Sequence, residues 1–295
     1  MDRTKKGKWD VRKKKIGNYF ISIMLTLLAM IILLPVIATA IYSFCSPNEI
    51  KQFMETRGNY DTTQFMQVKL FPEMFSLKQY YTIMIEDLTI LRYFMNSVMY
   101  TILIIIGQIV IIPAMAYALS RFSYPGRDCL LFIIIILMLL PFQVTMVPNV
   151  LTLRMLGLMN TIWAVVLPTV ISPFYIFLLR QFMVSLPGEL IEAAQIDGAG
   201  TVRCFLFIVL PICKPVLGAA FALSFADCWN LVEQPLTYLS TNTQLYPLSV
   251  LFNQLTQDSS GTEYAGATLY ALPALFVYLF FQTDILNGIQ LTEMK

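Results

Sequence analysis

Six long apolar runs divide the chain, at about Ile16–Phe44, Tyr93–Phe122, Cys129–Leu153, Thr161–Met183, Cys204–Leu231 and Ala265–Phe281, with polar stretches between them. A helix needs about 20 mostly apolar residues to cross about 30 Å of hydrocarbon. Each run is of that order, so the pattern predicts an all-α integral membrane protein with six transmembrane helices, forming one domain over residues 1–295. The polar pieces are a basic N-terminus (1–15), an outer loop (46–91), a segment between the fourth and fifth spans (185–201), a second outer loop (232–264) and a tail (284–295). Pro47, Gly58, Pro72 and several aromatics in the first outer loop fit short surface helices, not a separate core.

The segment at 185–201 has the chemistry of a short helix of about three turns. Ser185 can cap its start, Pro187 suits the first turn, Glu189 complements the positive helix end and Gly198 can stop it. Leu190, Ala193, Ala194 and Asp197 share one face at spacings of three and four, so a partner would meet small side chains with acids at the rim; Glu192 projects to the side. Glu192-Ala193-Ala194 alone is ordinary helix composition. The spacing through Gly198 to Ile208-x-Leu210-Pro211, between two spans, is much more specific.

Composition fixes the solvent. At 57% hydrophobic and 13% charged residues, the 295-residue chain is too apolar for a water-soluble domain. A net charge of +2 does not point to nucleic acid. Histidine is absent, which removes the commonest general base and metal ligand and argues against a metal site or a catalytic triad in this chain. The five cysteines lack CxxC spacing and read as packing residues, with Cys45 as the exposed thiol. Ala38-Thr39-Ala40 resembles a signal-peptide cleavage site, but the run before it far exceeds the roughly 7–15 apolar residues of a signal peptide, so a retained span is expected.

Orientation follows from basic residues near the span ends. Arg3, Lys5, Lys6, Lys8, Arg12, Lys13, Lys14 and Lys15 put the N-terminus in the cytoplasm. Alternation then puts Arg121, Arg127, Arg180 and Arg203 inside, together with the 185–201 helix, and both termini become cytoplasmic. The expected outer loop 232–264 has no Lys or Arg.

On these residues the chain resembles the permease subunits of bacterial ATP-binding-cassette importers, and among them the carbohydrate permeases of the maltose-transporter MalG type. The resemblance covers nearly the whole chain. It is carried by Ser43-Phe44 with Pro47, Asn96-Ser97, Ala116-Tyr117-Ala118 with Arg121, and Tyr124-Pro125-Gly126-Arg127. Pro141 to Pro148, Leu156-Gly157-Leu158, Asn160-Thr161 and Arg180-Gln181-Phe182 continue it, and Glu192-Ala193-Ala194, Asp197-Gly198-Ala199, Leu210-Pro211, Trp229-Asn230, Pro235-Leu236 and Gly288 complete it. The resemblance implies a cytoplasmic coupling helix, with Leu190, Glu192, Ala193, Ala194, Asp197 and Gly198 docking on an ABC ATPase dimer. It also implies a second, MalF-like permease subunit, an extracytoplasmic solute-binding protein, a sugar substrate, and residence in the bacterial cytoplasmic (inner) membrane. No cofactor is expected in this chain; the partner ATPase would bind ATP and Mg, since no GxxxxGK[ST] phosphate loop is present. In the family the loop before the last span reaches toward the binding protein, which here points to Asn253, Gln257, Asp258, Ser259, Gly261 and Tyr264, with Asp258 to Gly261 as a polar tip.

Polar residues inside spans face a path or another helix, because lipid does not solvate them. Gln108 and Asp227 fit helix-to-helix hydrogen bonds. Phe142, Gln143, Phe174, Tyr175, Trp229 and Asn230 are the candidates for a sugar path, since rings pack on apolar sugar faces and amides exchange hydrogen bonds with hydroxyls. An importer permease for a polyamine, phosphate or peptide is the alternative within transporters; a membrane enzyme or a helical scaffold is the alternative outside them.

Overall fold

Four of the six apolar runs fold into helical stretches that can cross a bilayer without a sharp bend: Asn18–Tyr42, Leu88–Arg121, Ile162–Ser185, which is interrupted at Ile171 and Ser172, and Thr262–Leu286. The computed structural model describes residues 3–51, 72–86, 88–254 and 261–293, and among these no strand occurs. In chain order the main helices are α1 (Arg3–Tyr42), α2 (Leu88–Arg121), α3 (Arg127–Leu139), α4 (Phe142–Met155), α5 (Ile162–Val170), α6 (Pro173–Ser185), α7 (Glu189–Ile196), α8 (Thr201–Ile212), α9 (Lys214–Trp229), α10 (Glu233–Tyr238), α11 (Leu248–Gln254) and α12 (Thr262–Glu293).

The other two runs are bent. The expected third span is α3 plus α4, which meet at 112°, and the expected fifth is α8 plus α9, which meet at 75°. Proline accounts for the first break: Pro141 has no N–H to continue α3 and drives the preceding Leu140 to an extended ψ of 127°. At the second, Pro211 and Pro215 flank Cys213, whose ψ of −4° leaves the helical range. A π-type turn at Phe205–Val209 lies just ahead of it. Counting each bent pair as one span gives six.

Two compact units share the chain, Met1–Glu86 with Gln257–Thr268, and Asp87–Thr256 with Leu269–Lys295. In the first, the side chains of α1 from Tyr19 to Ile37 are exposed, as suits a helix surrounded by lipid or a partner helix. Beyond α1 the chain is tied by a capping box: the Glu49 amide donates to Ser46 Oγ at 3.4 Å, and the Ser46 amide donates to Glu49 Oε2 at 2.9 Å. Glu49 Oε1 also accepts the amides of Glu73 (2.9 Å) and Met74 (3.3 Å), which fastens this later part of the outer loop to its start. Gln79 adds a bond to the Cys45 carbonyl at 2.7 Å, and the hydroxyls of Ser43 and Tyr80 meet at 2.7 Å.

Cys45, expected as an exposed thiol, is 7% exposed, and Cys129 is the exposed cysteine. Burial, and then the charge of Glu49, push the Cys45 thiol up, which disfavours the thiolate. Burial pulls the Glu49 carboxyl upward too, but the hydrogen bonds from Ser46, Glu73 and Met74 outweigh it and hold the group below the ordinary carboxylate value. A lowered folded value means that Glu49 stabilises the loop above the unfolded pKa and loses that contribution as pH falls through the folded one. Glu49→Gln is therefore expected to flatten the acid side of the thermal-unfolding profile of the detergent-solubilised protein. An unchanged difference in Tm between neutral and acid pH would contradict this.

The second unit has two apolar cores. One gathers Tyr100, Ile104, Val165, Leu231, Tyr238 and Leu239; the other gathers Ile112, Tyr117, Ile176, Leu179, Met183, Val209 and Val216. Asn96 and Ser97 close the first: Asn96 Nδ2 donates to the carbonyls of Gln244 (2.8 Å) and Tyr246 (3.0 Å), and Ser97 Oγ accepts the Leu248 amide at 2.8 Å. The helix-to-helix bonds expected of Gln108 and Asp227 are present. Gln108 donates to the Thr169 carbonyl at 3.1 Å and accepts from Ser224, while Asp227 accepts the Tyr175 hydroxyl at 2.5 Å.

Candidate functional site

The polar segment between α6 and α8 forms a helix, shorter than expected. Ser185 is the last residue of α6, and its hydroxyl donates back to the Phe182 carbonyl at 2.7 Å instead of capping the next helix. Leu186, forced extended by Pro187, separates the two helices at ψ 135°. Helix α7 starts at Gly188, whose carbonyl accepts the amides of Ile191 (2.9 Å) and Glu192 (3.1 Å). Glu189 and Glu192 place two acids in its first turn, where the helix dipole favours them. Its eight residues span about 12 Å.

The stop is where the sequence puts it. Gly198 has φ +83°, its amide donates to the Gln195 carbonyl at 3.0 Å, and the Ala199 amide donates to the Ala194 carbonyl at 2.9 Å. These two bonds are a Schellman motif, with glycine in the left-handed position that L side chains avoid.

No residue of α7 is buried. Leu190, Glu192, Ala193, Asp197 and Gly198 are exposed and Ala194 is partly exposed, so all six predicted coupling residues lie together on an open surface. Ile196, which sequence reasoning passed over, is 86% exposed, more than Leu190 at 45%. Ile191 is the inward anchor, packed on the core that holds Met183 and Val209. A short, stopped helix with open small and acidic residues can seat in a cleft of another protein.

The legs of this helix are held from α2. Arg121 Nη2 donates to the carbonyls of Met183 (2.8 Å) and Leu186 (2.9 Å), at the negative end of α6. One α2 turn earlier, the Tyr117 ring lies 4.9 Å from that of Phe205, on the leg leaving α7. The sequence marks Arg121 as an inner-loop base and as one residue of the family resemblance; pairing with a carbonyl 65 residues away carries no local signal.

The candidate path residues divide. Gln143 and Asn230 are exposed, and Gln143 Nε2 donates to Glu233 Oε1 at 3.2 Å. Phe174 is 45% exposed, edge-on to Tyr175, while Tyr175 itself is buried and bonded to Asp227. Phe142 is partly buried, against Tyr238. Trp229 is 2% exposed, with Phe225 and Tyr270 stacked at 5.6 Å and Phe94 edge-on at 5.8 Å. Its indole N–H donates to the Tyr270 carbonyl at 3.0 Å, and the Tyr270 hydroxyl reaches Asn230 Oδ1 at 2.7 Å. Trp229 thus supports Asn230 from behind, and Tyr270 is the partner that the adjacent Trp-Asn pair does not reveal.

The expected polar tip before the last span is only partly described. Asn253 lies in the last turns of α11, and Gln257, Asp258 and Ser259 lie outside the described residues. Gly261 is not at an open tip: it is buried, and a Cβ there would come within 2.5 Å of Ile50 Cδ1. Tyr264 packs its ring edge-on to Tyr42 at 5.5 Å. Both turn inward because the turn into α12 is packed against the start of the first outer loop. No cluster of three or more potential metal ligands occurs among the described residues.

The model of a family described as binding-protein-dependent transport system inner membrane component matches residues 109–287. The arabinooligosaccharides transport system permease protein AraQ of Halalkalibacterium halodurans is 30% identical over 76% of this chain and 81% of that one. The polygalacturonan/rhamnogalacturonan transport system permease protein YtcP of Bacillus subtilis is 29% identical over 96% of this chain and 99% of that one. A solved bacterial ABC transporter involved in the import of the acidic polysaccharide alginate contains a chain with the same fold, with a TM-score of 0.77 and 23% identity over 92% of this chain and 97% of that one.

Proposed function

The chain belongs to the family of binding-protein-dependent transport system inner membrane components, multi-pass membrane proteins that act as transport components, and on that premise we propose that it is one permease subunit of an ATP-driven oligosaccharide importer. The observation that carries the reading is α7: a stopped helix with no buried residue, within the stretch matched to the family. Leu190, Glu192, Ala193, Ala194, Asp197 and Gly198 dock on one of two ATPase subunits, which bind ATP and Mg. Closure of the ATPases displaces α7 and tips the spans from inward-open to outward-open. This chain does no covalent chemistry; its work is conformational.

Both termini and α7 are cytoplasmic in this reading, in line with the basic residues around them. A second, MalF-like permease completes the path, and an extracytoplasmic binding protein delivers the substrate to the outer face. The relatives named for arabinooligosaccharides and for polygalacturonan and rhamnogalacturonan support a sugar chain as substrate. Exposed Gln143, Asn230 and Phe174 are the side chains of this subunit best suited to meet it, with Trp229, Tyr175 and Phe142 holding them in place.

The test is reconstitution with the partner permease, the ATPase and the binding protein, screening oligosaccharides for stimulation of ATP hydrolysis. Stimulation by at least one oligosaccharide is expected. Stimulation by an amine, phosphate ester or peptide and by no glycan would replace the substrate class.

A further inference from the structure

The last turn of α2 touches both legs of the coupling helix. On the incoming leg, one guanidinium nitrogen of Arg121 binds two carbonyls, Met183 at 2.8 Å and Leu186 at 2.9 Å, which bracket the point where α6 ends and the chain turns toward α7. Those are orphan carbonyls of a helix C-terminus, and a cation there satisfies both the hydrogen bonds and the dipole. On the outgoing leg, Tyr117 packs its ring on Phe205 at 4.9 Å with the planes 33° apart, and edge-on to Phe122 at 5.7 Å. Phe205 opens the π-type turn Phe205–Val209 that begins the bent passage from α8 to α9. On the same leg, Cys204 is fully buried with its thiol against the Ala199 carbonyl at 3.7 Å, so the return from Gly198 is packed too.

The chain has two covalent routes out of α7, back into α6 and forward into α8, and each has a weak point. The backward route passes through extended Leu186 and Pro187; the forward route passes through the π-type turn and then the 75° bend at Cys213. A displacement carried by these routes alone would be absorbed there. The end of α2 bridges both weak points with an unbroken 34-residue helix behind it.

We infer that Arg121 and Tyr117 form a bracket that carries displacement of α7 into α2, so that α2, and not only the chain-adjacent helices, moves with the coupling helix. Arg121 and Tyr117 are positioning residues: neither belongs to the docking surface of α7. The inference rests on the reading of α7 as the ATPase-docking helix, and it adds the route by which docking is transmitted.

The experiment is the number of oligosaccharide molecules moved per ATP hydrolysed by the reconstituted full complex, with binding of the ATPase measured by copurification. Arg121→Gln is expected to lower that ratio about tenfold, the scale of losing charge-assisted hydrogen bonds, while ATPase copurification and basal hydrolysis stay within about twofold of wild type. Arg121→Lys, which keeps the charge and donors, is expected to recover most of the ratio. Tyr117→Leu, which removes the ring contact but not the apolar bulk, is expected to lower it independently.

A wild-type ratio in both Arg121→Gln and Tyr117→Leu overturns the bracket. Loss of the ATPase from the Arg121→Gln complex also overturns transmission as its role, because Arg121 then only holds the docking surface in shape. If Arg121→Gln yields no folded protein, Tyr117→Leu decides alone, and a wild-type ratio there overturns the proposal. Glu192→Lys is measured alongside. If it leaves the ratio unchanged, the docking reading itself fails; if it lowers the ratio while the bracket variants do not, the bracket alone fails.

Discussion

Gly198→Val and Glu192→Lys are each expected to cut ATP-driven uptake by roughly 10–100-fold while leaving capture of sugar by the binding protein unchanged. Gly198 sits at φ +83°, and a left-handed L-residue costs about 1–2 kcal/mol, more for a β-branched one. A Cβ at Gly198 would have no neighbour within 4 Å, so the valine crowds nothing in this chain. Its effect comes through the backbone, by undoing the Schellman stop of an eight-residue helix, or through the docked partner. Gly198→Asn, which tolerates the left-handed region, is expected to be mild. Glu192 is exposed, and reversing its charge in the first turn of α7 gives up a helix-dipole term of only about 0.3–1 kcal/mol. A large loss of transport from Glu192→Lys in a normally stable protein thus points to a surface used by something else. Normal uptake in both variants would defeat the docking role of α7.

The second large effect is expected inside the bundle. Gly218 of α9 lies against Asp284 of α12: a Cβ there would stand 2.6 Å from Asp284 Oδ2 and 2.9 Å from its Cβ and Cγ. Gly218→Leu is therefore expected to destabilise the protein by about 1–3 kcal/mol through overpacking, seen as a lower Tm in detergent and poor accumulation in membranes. Gly218→Ala is the informative change. Its single methyl needs Asp284 to move, so Asp284→Ala in the same chain is expected to restore stability, giving a favourable coupling in the double-mutant cycle. Additive effects of the two substitutions would show that α9 and α12 do not meet at this pair.

Much of this architecture was legible because lipid imposes a simple rule: backbone groups must bond within a helix, and side chains on the outside must be apolar. That rule located all six runs, but it does not encode direction, so it counts α3 with α4 and α8 with α9 as one run each whatever the angle between them. Pro141, Pro211 and Pro215 can each break a helix by lacking a backbone donor, and the bends of 112° and 75° lie beside them. The sequence alone does not give such angles, because they depend on what each half-helix packs against.

At the coupling segment, the stop at Gly198 was readable since only a left-handed glycine completes that turn. The start was not. Ser185 has the right chemistry for a cap, but α6 runs past the end of its apolar run at Met183 to include Ser185, whose hydroxyl satisfies Phe182 instead. The path residues show the same limit. Trp229 beside Asn230 marks a place where ring and amide meet, yet whether the ring lines a cavity or supports the amide depends on Tyr270, 41 residues away. The placement of Arg121 over Met183 and Leu186 is likewise a product of tertiary packing of α2 on α6, with no spacing in the sequence to announce it.

Conversion of ATP hydrolysis by a separate protein into sugar movement through α7 is best tested in proteoliposomes. They would hold this chain, its partner permease and the ATPase pair, with ATP inside and sugar-loaded binding protein outside. Labelled oligosaccharide is expected to accumulate inside only when ATP is present, and accumulation is expected to be lost with Glu192→Lys although the ATPase remains able to hydrolyse ATP. Accumulation that continues without ATP, or that Glu192→Lys leaves at the wild-type rate, would contradict a coupling role for α7.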